Sequence, residues 1–417
     1  YVLKGGYNII AKAYVISVTL ILSQIRRGLM KRIKKVLAVM LVLVMSMALA
    51  AGCSKSRQTM FGIMKDAGTM TKYSYDINAK LASSISGLEN LSLTFNGETD
   101  GEAMTMGVKV SYSFITVDVD NFLTITKDAV YVNVQTLFDK LAPVLLGESY
   151  SLEDFEEEFG TELKCIKLPL IDGMVNLNGG SNELMDTYIS ILESAFKDVK
   201  IEENKGEFTV RVEGAEEFSK LADALITALL DNEDTIISAL EKSNVDDEMV
   251  KKLVDTYMDE FVAALDRFNK EYELGLTDED IASLKEEVLN AFEEATGDAQ
   301  LDDVSASYKE MFDELRTNKA DFVSEIAGLN GTADLTITNS LTGKEGSRVY
   351  SCTSVVNAES TDTDEDISLN IDSVMTESND ISVKAPESYT EFSDIIYAAL
   401  VYAYDNGLLD DALYDAY

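Results

Sequence analysis

The sequence predicts an α+β body in which a curved, half-barrel-like antiparallel sheet packs on helices, with a helix-rich segment between N-terminal and C-terminal strands. Three observations predict it. Apolar and polar residues alternate with period two through much of residues 73–134, and the same alternation returns across residues 333–374. Residues 215–326, between these regions, place apolar side chains at helical spacing. Strands with one apolar face need a cover, and helices with one apolar stripe need a surface to pack on.

The elements follow in chain order. A short helix is expected over Thr59 to Ala67. Tyr73, Tyr75, Ile77, Ala79 and Leu81 then point one way, and Ser74, Asp76, Asn78 and Lys80 the other. Leu91, Leu93 and Phe95 repeat the pattern, as do Met104, Met106, Val108, Val110, Tyr112 and Phe114. Met104 and Met106 read as core, with a methionine-lined cavity as the alternative. Asn96-Gly97 and the segment through Gly101 supply turn chemistry between the second and third strands. Phe122 to Thr126 and Val130 to Val134 complete a meander.

Thr136 to Leu146 and Leu152 to Phe159 read as short helices, the second capped by Ser151 with acids in its first turns. Cys165 to Leu170 reads as an edge strand, because Pro169 has no amide hydrogen to give a central ladder. Asn182 to Phe196 predicts a helix and Glu207 to Val212 a strand. In the helix-rich segment, Leu221, Leu225, Ala228 and Leu229 form one stripe; Val250, Leu253, Tyr257, Phe261 and Leu265 form another. Thr277 with Asp280 three places later opens a further helix as a capping box, and Ile281, Leu284, Val288 and Phe292 make its stripe. These helices either cover the sheet or form a lobe inserted into it. Strands return at Ala333 to Asn339, Arg348 to Val356 and Ile367 to Val374, followed by Ile381-Ser382-Val383. Glu359 to Asp366 reads as an acidic hairpin tip, and a helix is expected from Tyr389 to about Tyr404.

The start of the chain carries a different signal. Lys31, Arg32, Lys34 and Lys35 run into an apolar stretch from Val36 to Met45, the layout of an export signal. The stretch ends Ala48-Leu49-Ala50-Ala51-Gly52-Cys53, which resembles the lipobox of bacterial lipoproteins. Ala50 stands where that motif usually has a larger apolar residue, with Leu49 one place further back. The resemblance implies that the Cys53 sulfur is diacylated and that the chain is cut before it. A transmembrane anchor is the alternative, since the apolar run approaches the roughly 20 residues a span needs. Residues 1–29 are expected to be an extension upstream of a start at Met30, residues 30–52 the signal peptide, and residues 53–58 a tether. Residues 59–417 then form one α+β body, with 215–326 as its helix-rich insertion.

Composition excludes several classes of function. The chain has 74 Asp and Glu against 35 Lys and Arg, a net charge of −39. That surface repels the nucleic-acid backbone, so no nucleic-acid partner is expected. Histidine is absent, which removes histidine-based triads and histidine-held zinc or haem. No phosphate loop is present: Gly343-Lys344-Glu345-Gly346 lacks the hydroxyl residue directly after its lysine. No pair of carboxylates is singled out for glycoside hydrolysis, and no enzyme activity or cofactor is expected. Cys165 and Cys352 either form one disulfide or stand as two buried free thiols. No metal site is expected; the most loop-like acidic run offers Asp362, Asp364 and Asp366 as candidate calcium ligands, without an EF-hand's glycine or distal glutamate.

The meander opening Lys72-Tyr73-Ser74-Tyr75-Asp76, the segment Ala129-Val130-Tyr131-Val132-Asn133-Val134 and the closing Ile381-Ser382-Val383-Lys384-Ala385-Pro386 resemble clostridial-type, Gram-positive envelope lipoproteins. Many of these share a fold like the LolA and LppX carriers, an incomplete barrel around helices with an apolar cavity. The likeness is one of pattern over residues 60–215 and 330–390, and residues 215–326 depart from it. It implies a lipid-anchored, extracytoplasmic protein at the cell membrane that binds a hydrophobic or lipid-like ligand. The alternative is a structural or protein-interaction module for an envelope partner, with the helical segment as contact face.

Overall fold

A computed structural model describes residues 59–84, 90–112, 115–145, 151–171, 183–243, 247–296, 304–328, 331–360 and 365–406. The elements, in order, are α1 (Met60–Ala67), β1 (Tyr73–Ser83), β2 (Leu91–Thr99), β3 (Ala103–Tyr112), β4 (Ile115–Thr126), β5 (Ala129–Val132), α2 (Val134–Leu145), α3 (Leu152–Phe159) and β6 (Ile166–Pro169). They continue with α4 (Glu183–Ala195), β7 (Ile201–Asn204), β8 (Glu207–Glu213), α5 (Ala215–Asp231), α6 (Glu233–Ser243), α7 (Asp247–Glu271), α8 (Asp278–Thr296) and α9 (Val304–Ala327). Last come β9 (Gly331–Thr342), β10 (Val349–Ser360), β11 (Glu365–Glu377), β12 (Thr390–Glu391) and α10 (Phe392–Asp405).

All twelve strands join one curved open sheet, ordered β12-β6-β5-β4-β3-β2-β1-β11-β10-β9-β8-β7. Every pairing is antiparallel except β12 with β6. The two strand-rich regions meet where β1 pairs with β11, Tyr73 opposite Glu377 through Ser83 opposite Ile367. The predicted α+β class holds, and the sheet does not close into a barrel.

Alternation sorts the side chains onto two faces. The inner face, toward the helices, carries Tyr75, Ile77 and Ala79 of β1, Ile371 and Met375 of β11, Tyr350 and Val356 of β10, Leu335 and Ile337 of β9, and Phe208 and Val210 of β8. With Met64 of α1, Ile189 and Leu192 of α4, Leu221 and Leu225 of α5, and Phe312 of α9, they build the first core. Each such side chain, fully buried, contributes about 1.5–3 kcal/mol. The outer face is polar. One row crosses eight strands through Thr209, Thr338, Thr353, Asp372, Asn78, Thr94, Lys109 and Asp118. Within it, Thr353 donates to Asp372 at 2.9 Å, Asn78 to Thr94 at 2.9 Å and Lys109 to Asp118 at 2.6 Å.

The helix-rich segment divides. α5, α6 and α9 cover the first core, while α7 and α8 join α10 in a second, built on Leu265, Phe268 and Ile281 with Tyr397 and Leu400 packed against them. Both caps read in the sequence form. Ser151 Oγ accepts from the Asp154 amide while Asp154 accepts from the Ser151 amide, and Thr277 and Asp280 repeat the arrangement.

Six local expectations are corrected. Asn96-Gly97 lie inside β2; the turn is at Asp100, whose Oδ1 accepts from the Glu102 and Ala103 amides, with Gly101 at φ 86. β4 begins at Ile115 and continues through an irregularity at Asn121, whose φ is 48, so the expected Phe122–Thr126 strand is its second half. Lys205 and Gly206, both at positive φ, turn the short hairpin β7–β8, whose first strand was not expected. Residues 381–383 form no strand. Tyr389 precedes the last helix, because Thr390 and Glu391 pair with Ile166 and Lys167 as β12. β6 is therefore second from the edge, with Pro169 beyond the positions β12 reaches. Phe114 lies outside the described residues.

Candidate functional site

The two halves of the inner face differ in cover. Across β8 to β11 the apolar residues sit under α1, α4, α5 and α9. Across β1 to β4 the ladder registers align three apolar rows: Ile77, Phe95, Val108 and Val119; Ala79, Leu93, Val110 and Val117; Leu81, Leu91, Tyr112 and Ile115. All twelve side chains are apolar or aromatic, and none carries a charge. Those of β1 border the first core, but none of those from β2, β3 or β4 belongs to either core.

Exposure rises along the strip. Val119 in the first row is only 2% exposed, Val110 in the second is 37%, and Tyr112 and Ile115 in the third are 38% and 39%. The exposed side chains of the strip are therefore on β3 and β4, while Leu81 and Leu91 in the third row are half-buried. Large apolar side chains left in water there forgo the stabilisation of burial, and contiguous ones mark a binding surface more often than scattered ones do.

The other end is shaped by a glycine. Gly97 stands opposite Tyr75, and without a side chain at 97 the phenol lies across β2 and donates to the Thr105 carbonyl on β3 at 3.0 Å. A Cβ at Gly97 would fall 2.0 Å from that carbonyl oxygen and 2.7 Å from the Tyr75 hydroxyl. Glycine within a strand commonly marks such a close approach. Burial pushes the Tyr75 phenol up to about 12, so it stays a neutral donor. Met104 and Met106 lie on the same inner face beyond this crossing, half-buried and in neither core.

No family model, curated protein or solved structure matches this chain. Among the described residues no helix is long and apolar enough to cross a membrane.

The residues singled out in the sequence do not gather at this strip. Cys53 lies outside the described residues. Cys165 and Cys352 are free thiols, which corrects the disulfide alternative. Cys165 directly precedes β6 and Cys352 is on β10, seven strand spacings away in the sheet order, whereas a disulfide needs Cα atoms within about 7 Å. Cys352 is buried, and burial pushes its thiol up to about 11. Asp362 and Asp364 lie outside the described residues. Asp366 is the second residue of β11, where its amide donates to Ser84 Oγ at 2.8 Å and its carbonyl accepts from Ser83 Oγ at 3.1 Å. Among the described residues no group of three His, Cys, Asp or Glu side chains could hold a metal ion.

Two parts of the site escaped sequence reading. The alternation of Ile115, Val117 and Val119 was legible but split from its strand by Asp120-Asn121. Gly97 resembled a turn residue because its role depends on Tyr75, distant in sequence and adjacent only in the folded sheet.

Proposed function

We propose that this protein is a lipid-anchored, extracytoplasmic envelope protein whose inner sheet face binds a hydrophobic ligand through an aliphatic chain. The observation that carries the reading is the strip of twelve uncharged side chains over β1 to β4, which lies outside both cores on three of its four strands and leaves Val110, Tyr112 and Ile115 exposed. A polar ligand would find no charged or amide side chain among the twelve, so the complementary group is a hydrocarbon chain. The basic, apolar and cysteine-terminated order of Met30 to Cys53 supports the anchor and the export it requires. Lipid on Cys53 would hold such a binding face beside the membrane that supplies its ligand.

The test is native mass spectrometry of the protein beginning at Ser54, purified without detergent and compared with a lipid extract of the same cells. A co-purifying lipid that is released on denaturation supports the reading. A protein that arrives empty and takes up no added lipid overturns it and leaves an interaction module as the better account. Substitution of Cys53 by Ser, followed by labelling with a radioactive fatty acid, tests the anchor separately: loss of label is expected.

A further inference from the structure

We draw no further inference here: the strongest candidate, the partly covered apolar face of β1 to β4 with Val110, Tyr112 and Ile115 exposed on it, belongs to the site already described, and nothing in the structure shows what covers it.

Discussion

Arg348 and Glu377 form a two-pronged pair inside the protein: Nε donates to Oε2 at 2.8 Å and Nη2 to Oε1 at 2.6 Å. The arginine is 4% exposed and the glutamate 8%. Nη1 is used as well, reaching the Asp66 carboxylate at 2.7 Å, the Asp66 carbonyl at 2.8 Å and Thr69 Oγ1 at 2.5 Å. The cluster joins the C-terminal end of α1 to the ends of β10 and β11. It fixes the first helix of the body on the sheet.

Removing one partner leaves the other charge buried and unpaired. Glu377→Ala and Arg348→Ala are each expected to destabilise the fold by about 3–5 kcal/mol. Arg348→Lys should also cost stability, because an ammonium cannot reproduce the planar fork. Replacing both residues by methionine should cost less than the two alanine changes added together. Urea unfolding of the four variants checks this.

Stability should fall on acidification through the same pair. The hydrogen bond from Arg348 holds the Glu377 carboxyl below its ordinary value of 4.5. Its folded pKa is therefore lower than its unfolded one. The pair's contribution is complete above about 4.5 and is lost as pH falls through the lowered folded value. Urea midpoints measured down a pH series should drop in that window, and Glu377→Gln should flatten the drop.

Gly97→Ala should be more damaging than Gly107→Ala. At Gly97 the added carbon meets the Thr105 carbonyl at 2.0 Å, which is backbone; at Gly107 its nearest neighbour is the end of the Asn96 side chain at 2.2 Å, which can swing away. The first is expected to cost about 1–3 kcal/mol and the second less. Thermal melts of both variants rank them, and equal losses would contradict the crossing of Tyr75 over β2.

The two described thiols should differ in reactivity. Cys165 is half-buried and Cys352 buried, and burial raises both thiols, Cys352 to about 11. A thiolate is the reacting form. In the native protein beginning at Ser54, a thiol reagent at neutral pH should modify Cys165 first and Cys352 only on unfolding. Intact mass should show two free thiols.

The chain carries its fold class in local patterns. Alternation at Tyr73 to Leu81 and helical spacing at Leu221 to Leu229 are fixed by residues two to four positions apart, so the sequence discloses them directly. The caps at Ser151 and Thr277 are equally local. The site is less legible. Nine of the twelve strip residues lie in the alternations of β1, β2 and β3 that the sequence discloses; the other three, Ile115, Val117 and Val119, are hidden because the irregularity at Asn121 obscures the limit of β4. Nothing local distinguishes the apolar strand that receives helical cover from the one that does not.

What the sequence alone determined is the α+β class, the one-sided strands, the helix starts and the basic-apolar-cysteine order around Cys53, because each is written in neighbouring residues. Tertiary structure decided that β1 lies beside β11, that Arg348 meets Asp66 and Glu377, that Gly97 makes room for Tyr75, and that Cys165 and Cys352 stand apart. Those choices depend on which apolar faces can be buried together, and burial is a property of the whole assembled sheet rather than of any segment.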